Sequence, residues 1–269
     1  ELGGGTQLSE LLKVVLLSDR IDSCVVAITL DLAAVGDALS TMTLWFEQVR
    51  KQVKVALEQL AASGAAGAAR ANAFCARRDE AWSEHADRGG VLPIGIPVVV
   101  LAHKWDVFEA EHGEAEYRKL LTRSLRYFCH ANGAALLCTK HKDKQMLGVM
   151  RNLLYHLVFG TGAVKSVQQE HMRPLLIPAG KDAFADIGPP PKVEGVLSDD
   201  PGERWRAAFE ATFPPKAAKR EAQDLSMVEA EQFAEESVDE LRRSKQEELL
   251  KLRAQLVQEV RMQEAVQIP

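Results

Sequence analysis

Two unbroken apolar runs stand out in the first half of the chain. They are Cys24 to Leu32, CVVAITLDL, and Ile96 to Ala102, IPVVVLA, both rich in valine and isoleucine. Short apolar runs without alternation are typical of strands that are buried on both faces of a parallel sheet. We therefore predict two middle strands over Val25–Leu30 and Val98–Leu101. Ala134 to Thr139, AALLCT, predicts a third strand, with a helix as the alternative.

Amphipathic patterns alternate with these runs. Apolar residues recur every three to four positions over Ser40 to Ala62, Glu114 to Ala131 and Lys144 to Phe159, which predicts three helices. A glycine follows the second and the third pattern, at Gly133 and Gly160, where it suits a helix C-cap. The alternation of strands and helices predicts an α/β fold with a mostly parallel sheet.

Two stretches lack a clear period. Ser63 to Gly95 opens with the Ala- and Gly-rich SGAAGAARANA, which predicts a helix tail followed by a mobile surface excursion. Beyond the third helix the chain becomes irregular, with a candidate edge strand over Pro174–Pro178 and a triple proline at Pro189–Pro191. We therefore separate an α/β domain over 1–165 from a Pro-rich extension over 166–224.

A short helix inside this extension carries three large aromatic residues. Over Pro201–Phe213, the residues Trp205, Phe209 and Phe213 recur at intervals of four, and Pro214 and Pro215 then end the helix. That spacing places all three rings on one helical face. Because such a face is costly to expose to water, we expect this helix to pack on the α/β domain.

The last segment, 225–269, is predicted to be a long charged helix. From Val228 to Met262 the sequence contains neither Pro nor Gly, and its apolar residues form only a narrow stripe. The stripe residues are candidates for binding a partner: Val238, Leu241, Leu249, Leu252, Leu256 and Val260. Docking on another chain is the favoured interpretation. A helix folded back on the parent domain and a solvated free rod remain as alternatives.

Composition narrows the class of protein. The 269 residues carry a formal net charge of −5, with 46% hydrophobic and 26% charged residues, as in soluble globular proteins. A negative charge argues against a nucleic-acid partner, and no run approaches the roughly 18 apolar residues of a membrane span. The cysteines at 24, 75, 129 and 138 form no C-x-x-C pair, which predicts buried reduced thiols and a cytoplasmic protein.

The most informative chemistry lies where the second apolar run ends. It leads into His103-Lys104-Trp105-Asp106, at the carboxyl end of a predicted parallel strand, where open α/β sheets bind ligands. Guanine-nucleotide folds carry N-K-x-D there, with the lysine covering the base and the aspartate accepting hydrogen bonds from guanine. Lys104 and Asp106 are therefore candidate nucleotide-binding residues, although His103 replaces the usual asparagine.

Two further loops fit the same scheme, and one motif is missing. Thr139-Lys140 follows the third strand, where such folds carry S-A-K, and Glu1 and Gly4 have the spacing of D-x-x-G. No G-x-x-x-x-G-K-[ST] phosphate loop occurs in the sequence. Either a first strand and a phosphate loop precede Glu1, as we expect, or the site has no phosphate-binding loop. GDP or GTP is the one cofactor that the pattern permits, and GTP hydrolysis, or any other enzymatic activity, is not expected.

A metal site is not predicted. The seven histidines show no H-E-x-x-H or comparable spacing. A zinc set built from Cys129, His130, Cys138 and His141 would have to span a predicted strand.

Several phrases together resemble a known family. ELGGGT, VVLAHKWDVFE, RPLLIPAGKDAFADIGPPP, and WRAAFEATFPPK followed by a charged helix are similar to cytoplasmic dynein light intermediate chains, in particular the ciliary dynein-2 form. The resemblance extends from Glu1 to about Leu250.

This resemblance implies a Ras-like, P-loop NTPase-type domain that is seated on the dynein-2 heavy-chain tail, with other dynein-2 subunits and intraflagellar transport trains as further partners. It implies a noncatalytic motor subunit in retrograde intraflagellar transport and cilium assembly, located in the cytoplasm, at the cytoskeleton, and in the cilium or flagellum and at its base. The alternatives are a Ras- or Rab-like GTPase with an effector-binding C-terminal helix, and a coiled-coil adaptor whose globular part is a spacer.

Overall fold

The computed structural model describes residues 2, 6–162, 164–215 and 236–266. The chain divides into two compact units, Glu1–Lys216 and Ala217–Pro269. The first is an α/β unit and the second contains one long helix. Among the described residues, none of the helices combines the length and the apolar content needed to cross a membrane.

Four strands form the described sheet. They are β1 (Val26–Asp31), β2 (Val98–His103), β3 (Ala135–Cys138) and β4 (Leu176–Ile177), arranged in the order β1-β2-β3-β4. β1 pairs with β2 and β2 with β3 in parallel, whereas β3 pairs with β4 antiparallel. The three strands predicted from apolar runs and the predicted edge strand are confirmed.

The helices of the first unit surround this sheet. They are α1 (Leu12–Val15), α2 (Val35–Ala62), α3 (Ala65–Glu80), α4 (Trp105–Glu111), α5 (Ala115–Ala131), α6 (Lys144–Phe159), α7 (Phe184–Ile187) and α8 (Pro201–Thr212). The predicted helices correspond to α2, α5, α6 and α8. Gly133 and Gly160 follow α5 and α6 with φ angles of 68° and 64°, in the left-handed conformation that glycine adopts without strain. The predicted α/β class with a mostly parallel sheet is confirmed.

The sheet separates two apolar clusters. Val98, Val100 and Ala102 of β2 face the larger cluster, while Val99 and Leu101 face the smaller one, since successive strand residues point to opposite faces. The larger cluster is built with α2, α5 and α8, and the smaller one with α6. β2 and β3 are therefore buried on both sides, as their unbroken apolar runs predict.

β1 departs from the prediction in two ways. It lies at an edge of the described sheet, not in the middle, and only Ile28 and Leu30 of its six residues are buried. Ala27 and Thr29 on the opposite face are exposed, because the side chains of α6 pack on β2, β3 and β4. The expectation of a strand buried on both faces is wrong for β1.

The segment 63–95 contains a full helix where the sequence predicts only a helix tail and an excursion. Gly64, with a φ angle of 112°, ends α2 and allows α3 to begin at Ala65. One face of α3 is buried through Gly67, Ala71 and Phe74. A side chain at position 67 would collide with the backbone of Leu60 in α2. Small residues thus allow α2 and α3 to pack closely. Because small residues give only a weak apolar pattern, the sequence does not predict this contact.

α8 packs on the α/β unit as predicted. Trp205, Phe209 and Phe213 are all buried. Asp200 caps the helix by accepting a hydrogen bond from the Glu203 N–H, which is a favourable arrangement at a helix N-terminus.

The described part of the second unit is α9 (Glu236–Val266), a helix of 31 residues. Of the predicted helical segment 225–269, residues 225–235 and 267–269 lie outside the described residues, as does the end of the predicted extension, 216–224.

Candidate functional site

The carboxyl ends of three parallel strands meet at one edge of the sheet. Asp31 at the end of β1 is paired in register with His103 at the end of β2. Directly after β3, Thr139 donates its backbone N–H to the Ala102 carbonyl over 2.9 Å and accepts a hydrogen bond from the Trp105 N–H over 3.0 Å. The loops after β1, β2 and β3 are therefore joined at the place where open α/β sheets bind ligands.

Lys104 reaches across this edge to an acidic partner. Its backbone has a φ angle of 62°, which is uncommon for a residue other than glycine. Its Nζ donates to Asp31 Oδ2 over 2.5 Å. Partial burial acts to raise the pKa of the Asp31 carboxyl. Hydrogen bonds from Lys104 and the Ala33 N–H, together with the positive charge of Lys104, outweigh this effect and hold the pKa below its usual range. The ion pair is half exposed, so it contributes little to stability.

His103 connects the loop after β2 with the loop after β3. Its Nδ1 lies 2.6 Å from the Thr139 hydroxyl oxygen, and Thr139 is buried. Burial lowers the pKa of the His103 imidazole, while the Asp31 carboxylate opposes that shift. The residue that replaces the usual asparagine thus still links the β2 loop to the β3 loop through its side chain.

Asp106 and Lys140 also lie at this edge, each with a protein partner. Asp106 Oδ1 accepts a hydrogen bond from the His141 N–H over 3.3 Å. Lys140 Nζ donates to Glu109 Oε2 over 3.3 Å, and the other oxygen of Glu109 accepts from Arg118 over 3.0 Å. The two lysines at this edge are therefore each neutralised by a carboxylate of the same chain.

Four of the six predicted nucleotide-binding residues are brought together. They are Lys104, Asp106, Thr139 and Lys140, whereas Glu1 and Gly4 lie outside the described residues. Their role as nucleotide ligands stays a prediction. Sequence reasoning missed the acidic partners Asp31 and Glu109. The strand-end position of Asp31 could have revealed it, since it faces the same edge as Lys104.

A second polar cluster ties the Pro-rich extension to α5. Arg126 binds Asp182 through two hydrogen bonds of 2.8 and 2.6 Å, and both side chains are buried. Asp182 also accepts from the Ala183 N–H and from Gln169. A bidentate pair with further donors satisfies the buried charges, so this cluster fixes the extension on the α/β unit.

Beside the Arg126–Asp182 pair, three of the described residues are arranged so that they could hold a metal ion. Ligand atoms of His85, Asp87 and His130 lie within 4.8 Å of one another. All three side chains, however, already make hydrogen bonds. His85 contacts the Asp87 N–H and the Asp182 carbonyl, while Asp87 Oδ2 contacts His130 Nε2 and the Phe184 N–H. These bonds connect α5 with two loops, and they would have to break to admit an ion.

The partner-binding candidates on α9 are solvent-exposed wherever their side chains are described. Val238, Leu241, Leu249 and Leu252 are 49–66% exposed. The side chains of Leu256 and Val260 lie outside the described part, although both residues belong to the helix. Exposure of a row of apolar side chains is what a partner-binding stripe requires.

Comparisons with known proteins give a consistent result. The sequence profile of the family "Dynein light intermediate chain (DLIC)" matches residues 72–189. Human cytoplasmic dynein 2 light intermediate chain 1 is 31% identical over 257 residues, covering 93% of this chain and 71% of that protein. The zebrafish (Danio rerio) protein of the same name is 29% identical over 253 residues, covering 93% and 69%.

Among solved structures, the crystal structure of the conserved domain of a dynein light intermediate chain aligns over 78% of this chain and 72% of that one, with 15% identity and a TM-score of 0.46. The identity of the human protein and its coverage by this chain show a family relationship. The chain belongs to the dynein light intermediate chain family.

Proposed function

We propose that the chain is a noncatalytic subunit of the cytoplasmic dynein-2 motor, which binds and stabilises the tail of the heavy chain in support of retrograde intraflagellar transport and cilium assembly. The observation that carries the proposal is similarity over 93% of the chain to proteins named cytoplasmic dynein 2 light intermediate chain 1. On this proposal the protein is located in the cytoplasm, on the cytoskeleton, and in the cilium or flagellum and at its base.

The carboxyl edge of the sheet supports a role that does not depend on nucleotide binding. Lys104 is paired with Asp31, and Lys140 with Glu109, so an incoming phosphate or base would compete with carboxylates of the chain itself. Asp106 is held by the His141 N–H. The side chains that would contact a bound guanine nucleotide are therefore already bonded to other groups of the protein.

A Ras- or Rab-like GTPase is the second candidate. One observation favours it: Lys104, Asp106, Thr139 and Lys140 share one edge of a parallel sheet. Binding of GDP or GTP at this edge is compatible with the motor role, whereas turnover of GTP would replace that role as the main activity.

Affinity purification of the tagged full-length protein from ciliated cells tests both candidates. We expect the dynein-2 heavy chain and other dynein-2 subunits, with intraflagellar transport proteins, in the purified material. The chain purified alone should show no GTP hydrolysis above the buffer rate. Absence of the heavy chain together with steady GTP turnover would support the GTPase instead.

The variant Asp106→Ala separates nucleotide loading from assembly. It removes the carboxylate that would recognise guanine and costs one exposed hydrogen bond to the His141 N–H, a change worth at most about 1 kcal/mol in stability. We expect recovery of the heavy chain to stay unchanged. Its loss in a protein that still unfolds at the normal temperature would show that assembly requires bound nucleotide.

A further inference from the structure

The outward face of α6 is apolar and positively charged. Leu147, Tyr155, Val158 and Phe159 are 43–68% exposed, and the rings of Tyr155 and Phe159 lie 5.7 Å apart. Helical geometry places these residues near one side of the helix, opposite the buried Leu153. A solvated helix face is normally polar, so a face with four large apolar side chains indicates a missing partner.

The charges on this face have one sign. From Lys144 to Phe159 the helix contains no Asp or Glu, while Lys144 and Arg151 are exposed. From Asp143 to Arg173 there are two acidic residues, and both have partners. Asp143 caps the helix by accepting a hydrogen bond from the Met146 N–H, and the Glu170 carboxylate lies 3.7 Å from the guanidinium of Arg173. The surface around the outward face therefore favours an acidic partner.

Gly148 lies in the middle of this face and has no local reason to be glycine. A Cβ atom added there would meet nothing within 4 Å, and its backbone needs no positive φ angle. Glycine is nonetheless among the poorest helix formers. In helix pairs, such a position allows the backbone of a second helix to approach closely. A helix that packs across this exposed apolar face would give the glycine such a role.

We propose that the outward face of α6 is the surface through which the globular unit docks an amphipathic helix of the dynein-2 heavy chain, one that carries Asp or Glu beside its apolar stripe. The face consists of Leu147, Gly148, Arg151, Tyr155, Val158 and Phe159. This inference rests on the proposed function and names the surface and the chemistry of the partner. Such helix-in-groove recognition uses apolar anchors spaced three and four residues apart.

A groove beside α6 extends the same surface. It has a volume of about 650 Å³ and is lined by residues of α6, such as Asn152 and Tyr155, and by the chain that follows, including Lys165. Lys165 adds a further positive charge at the rim of the proposed docking surface. An acidic side chain of the partner helix could pair with Lys165 while the apolar side chains of that helix contact Tyr155 and its neighbours.

Two variants of the full-length protein test the proposal. Gly148→Gln fills the point of close approach, and Arg151→Glu reverses the charge of the outward face. The matched controls are Gly89→Gln, at a second glycine whose Cβ would meet nothing within 4 Å, and Lys51→Glu, at an exposed cation of α2. Glutamine is a better helix former than glycine, so Gly148→Gln should raise the melting temperature by about 2–4 °C.

The expected result is a loss of heavy-chain recovery, by about tenfold or more, in both α6 variants and not in the controls. A photo-crosslinker replacing Tyr155 should attach to a heavy-chain peptide that contains Asp or Glu. If the wild-type protein recovers the heavy chain and the α6 variants recover it equally well, the docking surface is wrong while the proposed function stands. If the wild-type protein recovers no heavy chain, both fail.

Three other occupants would also overturn the proposal. Self-association of the purified chain that Gly148→Gln abolishes would identify a second copy. A crosslink from position 155 to residues 217–269 would identify the chain's own C-terminal unit. Co-sedimentation with vesicles of phosphatidylserine and phosphatidylcholine that Arg151→Glu abolishes would identify an anionic membrane.

Discussion

α8 and α9 are both amphipathic helices, yet they have opposite relations to solvent. α8 buries Trp205, Phe209 and the adjacent Phe213, whereas Leu241 and Leu249 of α9 are 62% and 66% exposed. α8 concentrates large rings on one face in three turns, while α9 spreads single aliphatic residues along a charged rod. In this pair of helices, burial accompanies the size and density of the apolar residues and not the length of the helix.

The neighbours of α8 explain why its rings are buried. The Phe213 ring lies 5.3–6.0 Å from those of Phe108, His112 and Tyr117, and the Trp205 ring lies 6.2 Å from that of Tyr127. Aromatic pairs at such distances add to the stabilisation from buried area. α8 is therefore part of the folded α/β unit, although in sequence it lies within the Pro-rich extension.

The largest effect should come from removing the largest ring of this contact. Trp205→Ala would leave a cavity where the side chain is now 1% exposed, and we expect it to lower the free energy of unfolding by about 3–5 kcal/mol. Leu249→Ala in α9 should change it by less than about 0.5 kcal/mol. Urea denaturation of the full chain measures both. Equal losses in the two variants would remove the distinction between α8 and α9.

A somewhat smaller effect should follow from breaking the buried ion pair that fixes the extension. Asp182→Asn leaves the Arg126 guanidinium buried without a counter-charge, which we expect to cost about 3 kcal/mol, since the amide can still accept one hydrogen bond. The double variant Arg126→Met/Asp182→Leu should recover most of that loss. Denaturation that leaves Asp182→Asn as stable as the wild-type protein would contradict a structural role for the pair.

Most of the fold could be predicted from the sequence, because strong periodic signals coincide with the elements that carry the core. The apolar runs that became β2 and β3, and the stripe of α5, are buried as their patterns predict. α3 could not be predicted as a packed helix, because Gly67 and Ala71 make a close contact with little apolar surface. The edge position of β1 depends on which strands pair, and the pattern of a single run does not contain that information.

The candidate site was predictable in part. Strand-end positions placed Lys104, Asp106 and Thr139 on one edge correctly. The pairing of Lys104 with Asp31 depends on the parallel register of β1 and β2, which no local motif specifies. For the same reason the link between Arg126 and Asp182, separated by 56 residues, could not be predicted from spacing.

A small pH effect should distinguish the half-buried His103 from the exposed His141 at the same edge of the sheet. Burial lowers the pKa of His103 in the folded chain below its usual value of 6.5. The unfolded chain then binds the proton more readily, so this contribution to stability is full above about pH 6.5 and is lost as the pH falls through the folded-state pKa. His103→Gln should reduce the drop in urea midpoint between pH 7.5 and pH 5, and the exposed His141→Gln should not. An unchanged drop in His103→Gln would show that another group titrates.

The smallest effect concerns the four free cysteines. Burial raises the pKa of the Cys138 thiol to about 12 and that of Cys129 well above its usual range, whereas Cys24 and Cys75 are half-buried. Because the thiolate is the reactive form, we expect a thiol reagent to modify Cys24 and Cys75 in the native protein, and Cys129 and Cys138 only after unfolding. Mass spectrometry of the labelled peptides checks this order, and rapid native labelling of Cys138 would contradict the packing of β3.

The two C-terminal helices differ in role: α8 belongs to the folded α/β unit, and we propose that α9 binds a partner in the motor. The most direct test is to delete residues 228–269 and to measure both the melting temperature and the recovery of the dynein-2 heavy chain from ciliated cells. We expect the melting temperature of the α/β unit to stay within about 2 °C of that of the full chain, while heavy-chain recovery falls. A melting temperature well below that of the full chain, with heavy-chain recovery unchanged, would show that α9 stabilises the α/β unit and does not bind the motor, which would contradict this assignment.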